Sequence, residues 1–430
     1  MAFAQSSYDE RIAEAMNSSD WFALDSIYSE APKDSISEFL EVFSRCMIGN
    51  RFNRTDVSIP AFAELLNTQA QNLGIENLVS SAWMYAMDLG RVGAYAEATQ
   101  MLTAVISAVK PHMEESSLAL LEQFATLYSR LSNHNPYQIA FGEDATGVVP
   151  FRIEPVGPED KQQVLLHLEN SAINGKEADI TFDTGAGINV ITDSMAAQYG
   201  LVPLDVTFTT KGAGYETGRY AMARELKIGN ITVSNVPFLV LTMTTHNAEA
   251  DQHIKAFNIT VGCELMLQLK DLTFDFQRQE ITVPAEAPSK SGAKPNMYFS
   301  SGMNFIAKAV LQGTPVRMCI DAGDASYGWM GNHFFKKNKE YILQHSTLET
   351  VRGAGIGGVN THESYSTPNL ELTLGGSSVT IPALDVSADD AEPDAAYGDN
   401  LGLKSLLLFG KVRFNLVDFV LTTEPRQTSN

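Results

Sequence analysis

Along residues 1–135 apolar side chains recur at three- and four-residue spacing with few β-branched runs, as in Ser35-Ile-Ser37-Glu-Phe-Leu-Glu-Val-Phe and Ser116-Ser-Leu-Ala-Leu-Leu-Glu-Gln-Phe-Ala. That period predicts helix throughout. Between Asn133 and Asp160 it stops, and Pro136, Gly142, Gly147, Pro150, Pro155, Gly157 and Pro158 accumulate, the signature of a linker or an irregular leading strand. From Lys161 onward short alternating runs rich in Val, Ile, Thr and Phe, punctuated by Gly and Asn, predict strands. A second break, Pro284-Ala-Glu-Ala-Pro-Ser-Lys-Ser-Gly-Ala-Lys-Pro295, divides this β part in two. The expected organisation is a multi-domain α + β chain: a helical-hairpin domain over 1–135, a linker over 136–160, β lobes over 161–285 and 296–425, and an inter-lobe linker over 286–295.

The two β segments carry the same landmarks in the same order. Asn174-Gly175 and Gln312-Gly313 each precede an aspartate at an apolar strand end, Asp183 and Asp321, and each aspartate is followed by x-Gly. Lys211-Gly-Ala-Gly-Tyr215 then matches Arg352-Gly-Ala-Gly-Ile356, and Glu225-Leu-Lys-Ile-Gly229 matches Glu371-Leu-Thr-Leu-Gly375. Gly262-Cys-Glu-Leu-Met-Leu267 with Phe274 and Phe276 matches Gly402-Leu-Lys-Ser-Leu-Leu407 with Phe414 and Leu416. Ordered landmarks of this kind indicate a duplicated β domain. In the helical part, Trp83, Leu89-Gly90, Tyr95, Ala98 and Leu102 within Asn77–Val109 resemble one tetratricopeptide repeat, in which small residues let paired helices approach. Only one copy is convincing, so the region is expected to be a tetratricopeptide-like helical-hairpin domain that binds a protein partner or covers a cleft.

Composition narrows the function classes. The chain has 430 residues, 51 acidic and 30 basic, for a formal net charge of -21. Such a surface repels phosphate backbones and anionic lipid, which excludes nucleic acid and membrane surfaces as expected partners. No apolar run reaches the roughly 18 residues a membrane span requires. Ala2-Phe3-Ala4 has the small-x-small form of a signal-peptidase site, so a trimmed export signal and a periplasmic or extracellular location are expected; an ordinary polar N-terminus is the competing reading. Cys46, Cys263 and Cys319 are far apart and odd in number, and read as small buried hydrophobes rather than a disulfide framework or zinc site. His246, Glu249, Asp251 and His253 fall in a polar loop and read as solvated surface; no metal and no cofactor is expected. Gly353-Ala-Gly355-Ile-Gly-Gly358 formally fits a dinucleotide fingerprint, but Val359–Pro368 has no helical period to follow it. The acidic run Asp385, Asp389, Asp390, Glu392, Asp394, Asp399 reads as a solvated loop, or, beside a cleft, as a preference for cationic peptides.

The sharpest signal is Phe182-Asp183-Thr184-Gly185-Ala186, an aspartate closing a strand and a glycine opening a tight turn. In its setting, with the preceding Asn174-Gly175, the following Ile188-Asn-Val-Ile191, the helix end at Gly200-Leu201 and the later Val261-Gly262, it resembles the retropepsin-like aspartic proteases. The resemblance spans Lys161 to about Pro425, and two aspartate loops in one chain are similar to the bilobal pepsin layout. It implies a peptide or protein substrate and an aspartic endopeptidase, with Asp183 and Asp321 as a catalytic dyad that shares one proton. It further implies that Thr184, Gly185 and Ala186, with Ala322, Gly323 and Asp324, shape the two loops. Gly212, Gly214 and Tyr215, with Gly353, Gly355 and Ile356, would form flaps over the substrate. The second loop departs from the pattern: Ala322 lacks the hydroxyl of Thr184, and Asp324 adds a third carboxylate. A relative that binds peptides without cutting them is the alternative.

Overall fold

The computed structural model describes residues 7–143, 145–157, 162–248, 250–388 and 399–427. The described chain forms two compact units, 1–135 and 136–430. Ala2-Phe3-Ala4 lies outside the described residues, as do Asp389, Asp390, Glu392 and Asp394 and the position of Glu249.

The first unit is helical: α1 (Tyr8–Asn17), α2 (Trp21–Glu30), α3 (Glu38–Arg51), α4 (Thr55–Thr68), α5 (Gly74–Arg91), α6 (Tyr95–Val109) and α7 (Glu115–Leu131), each packed on the next. Ser7 and Glu10 close a reciprocal capping box on α1, and Asp20 caps α2, satisfying N–H groups that a helix start leaves without partners. Small residues set the close approaches. A Cβ on Gly49 would lie 2.6 Å from Ser58, and one on Gly90 would lie 2.7 Å from the Tyr128 hydroxyl. Tyr128 in turn packs on Tyr95 and Phe124, joining α5–α7. Asp88 and Arg91 pair at 2.8 Å inside this unit, and the Asn50 amide donates to Asp88 at 2.9 Å. The buried charge is thus paired and hydrogen-bonded. Among the described residues, no helix is long and apolar enough to cross a membrane.

The second unit is mainly β. Its first half runs β1 (Gln138–Phe141), β2 (Thr146–Val156), β3 (Gln163–Leu168), β4 (Ser171–Ile173), β5 (Lys176–Glu177), β6 (Ile180–Phe182) and β7 (Val190–Thr192). It continues through α8 (Asp193–Tyr199), β8 (Val202–Lys211), β9 (Tyr215–Ile228), β10 (Ile231–Leu241), α9 (Ala250–Ile254), β11 (Ile259–Val261), α10 (Cys263–Leu269), β12 (Asp271–Asp275) and β13 (Glu280–Pro284). The second half has β14 (Met297–Phe299), β15 (Phe305–Leu311), β16 (Thr314–Asp321), β17 (Gly328–Met330), α11 (Asn332–His345), β18 (Thr347–Gly355) and β19 (Gly358–Leu374). It closes with β20 (Ser377–Ser387), β21 (Asp399–Gly402), α12 (Leu403–Leu406), β22 (Phe409–Asn415) and β23 (Val420–Pro425).

One arrangement occurs twice. In the first half β11 lies between β6, to which it is parallel, and β7, to which it is antiparallel; in the second half β21 lies in the same way between β16 and β17. The neighbouring orders correspond too: β3-β6-β11-β7-β10-β9 and β15-β16-β21-β17-β20-β19. The sequence landmarks occupy equivalent places, since Asp183 follows β6 and Asp321 ends β16, while Gly262 and Gly402 precede α10 and α12.

Two details differ from the sequence-based expectations. Residues 136–160 contain β1, paired with β10, and β2, held between β13 and β3. Val149 and Phe151 alternate into the core there, a pattern interrupted in sequence by Pro150 and Pro155. Strands β22 and β23, sought in the second lobe, instead extend the first sheet beside β12. Phe414 of β22 contacts Phe274 of the first half and Phe305 of the second at ring separations of 5.7 and 5.8 Å. Arg413 forks onto both oxygens of Asp271 at 2.9 and 2.7 Å. The C-terminal strands therefore stitch the halves together, and one hydrophobic core runs through both. In keeping with the lack of a helical period, the segment after Gly353-Ala-Gly355 is the strand β19, not the helix a dinucleotide site needs.

Candidate functional site

Each aspartate sits at the C-terminal end of a buried strand beside the central strand of its half. The Asp183 N–H donates to the Val261 carbonyl at 2.9 Å, and Asp321 stands in register with Gly402. Both chains then turn sharply. Asp183 Oδ1 accepts the N–H groups of Gly185 (2.7 Å) and Ala186 (3.2 Å); Asp321 Oδ1 accepts those of Gly323 (2.9 Å) and Asp324 (3.1 Å). Glycine is required in both turns because the loops face each other. A Cβ on Gly185 would collide with the Asp321 carboxyl, and one on Gly323 with the Asp183 carboxyl.

Each carboxyl lies against the glycine of the opposite loop, close enough for Asp183 to act on the ionisation of Asp321. Burial raises both above the usual carboxylate range, and their mutual charge adds to this at Asp321. Asp321 is pushed further because Asp324 adds a second negative charge, against which the Asn400 amide pulls downward. The pair thus holds a proton where an isolated aspartate would have lost it.

Thr184 crosses between the loops. Its hydroxyl donates to the Ile320 carbonyl at 2.7 Å and accepts the Ala322 N–H at 2.9 Å, while the Cys263 thiol donates to its carbonyl at 3.2 Å. Ala322 is buried and returns no such bond. Asp324 points into a polar corner: one oxygen accepts from the Ser326 N–H (2.9 Å) and hydroxyl (2.7 Å), the other from the Asn400 amide (2.8 Å), which also donates to Asp321 Oδ2 at 3.1 Å. All three cysteines are free and buried, and burial pushes the Cys263 and Cys319 thiols up, so they stay protonated.

Pattern reading missed four supporting residues. Asn189 accepts the Gly262 N–H at 3.2 Å and its amide donates to the Tyr137 hydroxyl at 3.0 Å. Glu264, on the first turn of α10, accepts from Tyr137 (3.1 Å) and from the Asn189 N–H (3.3 Å), and burial pushes it up to about 7. The Asn304 amide donates to the Gly185 carbonyl. Asn400 is the fourth. A polar residue in an apolar run was their only sequence signal, and it does not say which loop the side chain meets.

The glycine-rich segments are hairpin tips. In the first, Lys211 pairs with Tyr215 around Gly212-Ala-Gly214; in the second, Gly355 pairs with Gly358 around Ile356-Gly357. The tips meet each other. The Gly214 N–H donates to the Ile356 carbonyl at 3.0 Å, Gly212 lies against Ile356, and Gly355 lies against Ala213. Gly353 has open space around it. Tyr215 is 72% exposed, beside the Lys211 ammonium at 5.8 Å. The Gly357 N–H donates to the Thr244 carbonyl at 2.9 Å, in a loop that Asp251 fixes by accepting from Thr244 and Thr245. His246 pairs with Glu216 at 3.0 Å. Asp385 lies in β20 and Asp399 opens β21, where it accepts the Gly331 N–H at 2.9 Å and faces His333 at 3.1 Å.

Residues 170–253 match the family model for aspartyl proteases. That stretch is similar to the aspartyl proteases. It contains Asp183-Thr-Gly-Ala186 and the first hairpin tip, Gly212-Ala-Gly214; the loop at Asp321 lies beyond it. No curated protein matches the chain.

Proposed function

We propose that the chain is an aspartic endopeptidase whose catalytic pair is Asp183 and Asp321. The observation that carries this reading is the facing of two buried carboxyls delivered by equivalent strand ends, each lying against the glycine of the opposite loop. One shared proton leaves one carboxylate ionised and one carboxyl protonated. The ionised member removes a proton from a water, whose oxygen attacks the peptide carbonyl carbon; the protonated member gives its proton to the carbonyl oxygen. Collapse of the tetrahedral species breaks the C–N bond, and a proton passes to the leaving nitrogen. Neither metal nor cofactor enters these steps. Because one chain supplies both carboxyls, no second copy is needed. Thr184 locks the loops, and the hairpins around Gly212, Gly214 and Tyr215 and around Gly353, Gly355 and Ile356 part to admit a peptide and then close over it. The helical unit serves as a docking scaffold for a protein partner.

A second reading, a peptide-binding protein that does not cut, is favoured by Ala322 and by the Asp324 charge beside the pair. Incubation of the full chain with a diverse peptide library from about pH 3 to 7, alongside Asp183→Asn, separates the two. Cleavage that disappears in the variant supports the protease. Peptide retention without cleavage at every pH supports the binder.

A further inference from the structure

The two aspartates are alike in their turns and unlike in what stands behind them. By strand register, Thr260 of β11 and Asn400 of β21 hold equivalent places, and Ala186 and Asp324 hold equivalent places in the loops. In the first half the Thr260 hydroxyl turns away to the Phe257 carbonyl at 3.2 Å, and Ala186 has nothing to offer Asp183 beyond its N–H. In the second half the Asn400 amide bridges two carboxylates, with one hydrogen on Asp321 Oδ2 at 3.1 Å and the other on Asp324 Oδ2 at 2.8 Å. Ser326 supplies two more donors to Asp324 Oδ1. Every one of these partners of Asp324 is a donor, which is the pattern an ionised carboxylate accepts. A fixed negative charge is thus held one amide away from Asp321 and has no counterpart beside Asp183.

We infer that Asp324, tethered by Asn400, is a positioning residue that keeps the shared proton on Asp321 and so leaves Asp183 as the base. The inference rests on the reading of Asp183 and Asp321 as the reacting pair. Within the pair, Asp321 Oδ1 is occupied by the N–H groups of Gly323 and Asp324, so the proton sits on Oδ2. That oxygen also accepts from the Asn400 amide. The ionisable groups acting on Asp321 are Asp183 from the opposite loop, Asp324 from its own, Cys319 from its own strand and Cys263 from α10. Both thiols are neutral, so the sign of the local field is set by the carboxylates. A nearby negative charge disfavours ionisation of Asp321, and its removal returns the pair toward equivalence.

The test follows the aspartate Cγ resonances of the full chain by carbon NMR from about pH 3 to 9, with the pair assigned as the signals missing from Asp183→Asn and Asp321→Asn. In the native protein, between the two midpoints of the pair, the Asp321 signal is expected at its protonated position and the Asp183 signal at its ionised position. Asp324→Asn, of the same shape, and Asp324→Ala, which copies the first loop, are each expected to lower the upper midpoint by about one pH unit and to draw the two signals together. The alkaline limb of the cleavage profile should move with it. An ionised Asp321 in the native protein, or an upper midpoint unmoved in both variants, overturns the inference. If the NMR behaviour is as expected but the native protein cuts no peptide at any pH, the protease reading fails and the proton placement stands.

Discussion

The Thr184 hydroxyl accepts the Ala322 N–H at 2.9 Å and donates to the carbonyl just before Asp321, and no hydroxyl comes back from Ala322. One side chain therefore does what two would do in a symmetric pair of loops. Thr184→Val keeps the shape but leaves a buried N–H and a buried C=O without partners. The expected cost is about 2–4 kcal/mol in denaturant unfolding, against less than about 1 kcal/mol for Thr184→Ser. Equal losses in the two variants would mean that methyl packing, not the bridge, holds the loops.

The glycines opposite the carboxyls make a sharper demand. Gly185→Ala and Gly323→Ala each place a methyl where the partner carboxyl lies, so the pair must separate. Carboxyls that cannot share a proton cannot divide the acid and base roles. Cleavage is expected to fall at least about 100-fold in each variant, a misplacement of about 1 Å being enough for such a loss. Activity within a few-fold of native in either variant would remove the pair from the mechanism.

Burial raises Glu264 from 4.5 to about 7 in the folded protein. For an acid shifted upward, folding gains most at low pH: the contribution is complete below about 4.5 and is lost as pH rises through 7. Its full size corresponds to on the order of 2 kcal/mol after allowance for partial exposure. Glu264→Gln, which preserves the contacts with Tyr137 and Asn189 in outline, should flatten the stability decline over pH 4.5 to 7 in a urea series. An unchanged slope would mean that Glu264 is not the group that titrates.

The hairpin tips offer a kinetic prediction. A side chain at Gly214 would strike the Gly357 carbonyl, so Gly214→Val should part the tips. Hydrogen exchange over 210–217 and 353–359 is expected to rise, with kcat/KM down about 10-fold and the fold's melting temperature little altered. Unchanged exchange would show that the tips do not depend on this contact.

The helical and β halves, and the repeat within the β half, are legible in the sequence because periodicity and turn residues are local signals. Asp183 and Asp321 could be paired on paper because the same landmarks surround both. The strands of 136–160 were obscured by Pro150 and Pro155, although Val149 and Phe151 bury as strand residues do. The transfer of β22 and β23 to the first sheet had no sequence signature, since Phe414 looks like any core aromatic until its contacts with Phe274 and Phe305 are known. Asn400 and Glu264 were missed for a related reason. They meet loops 79 and 75 residues away in the chain, brought there by the central strands β21 and β11. The sequence suggested that Asp324 disturbs the pair; the structure adds that it is held in place by Asn400 and Ser326.

Whether the two carboxyls act as one unit is read from kcat/KM on a cleaved peptide for the native chain, Asp183→Asn, Asp321→Asn and the double variant. Each single change is expected to reduce cleavage at least about 1,000-fold, with the double variant no worse than either single one, because groups that act as a unit are not additive. Substantial cleavage by either single variant, or losses that multiply in the double, would show that the two carboxyls do not act as one catalytic unit.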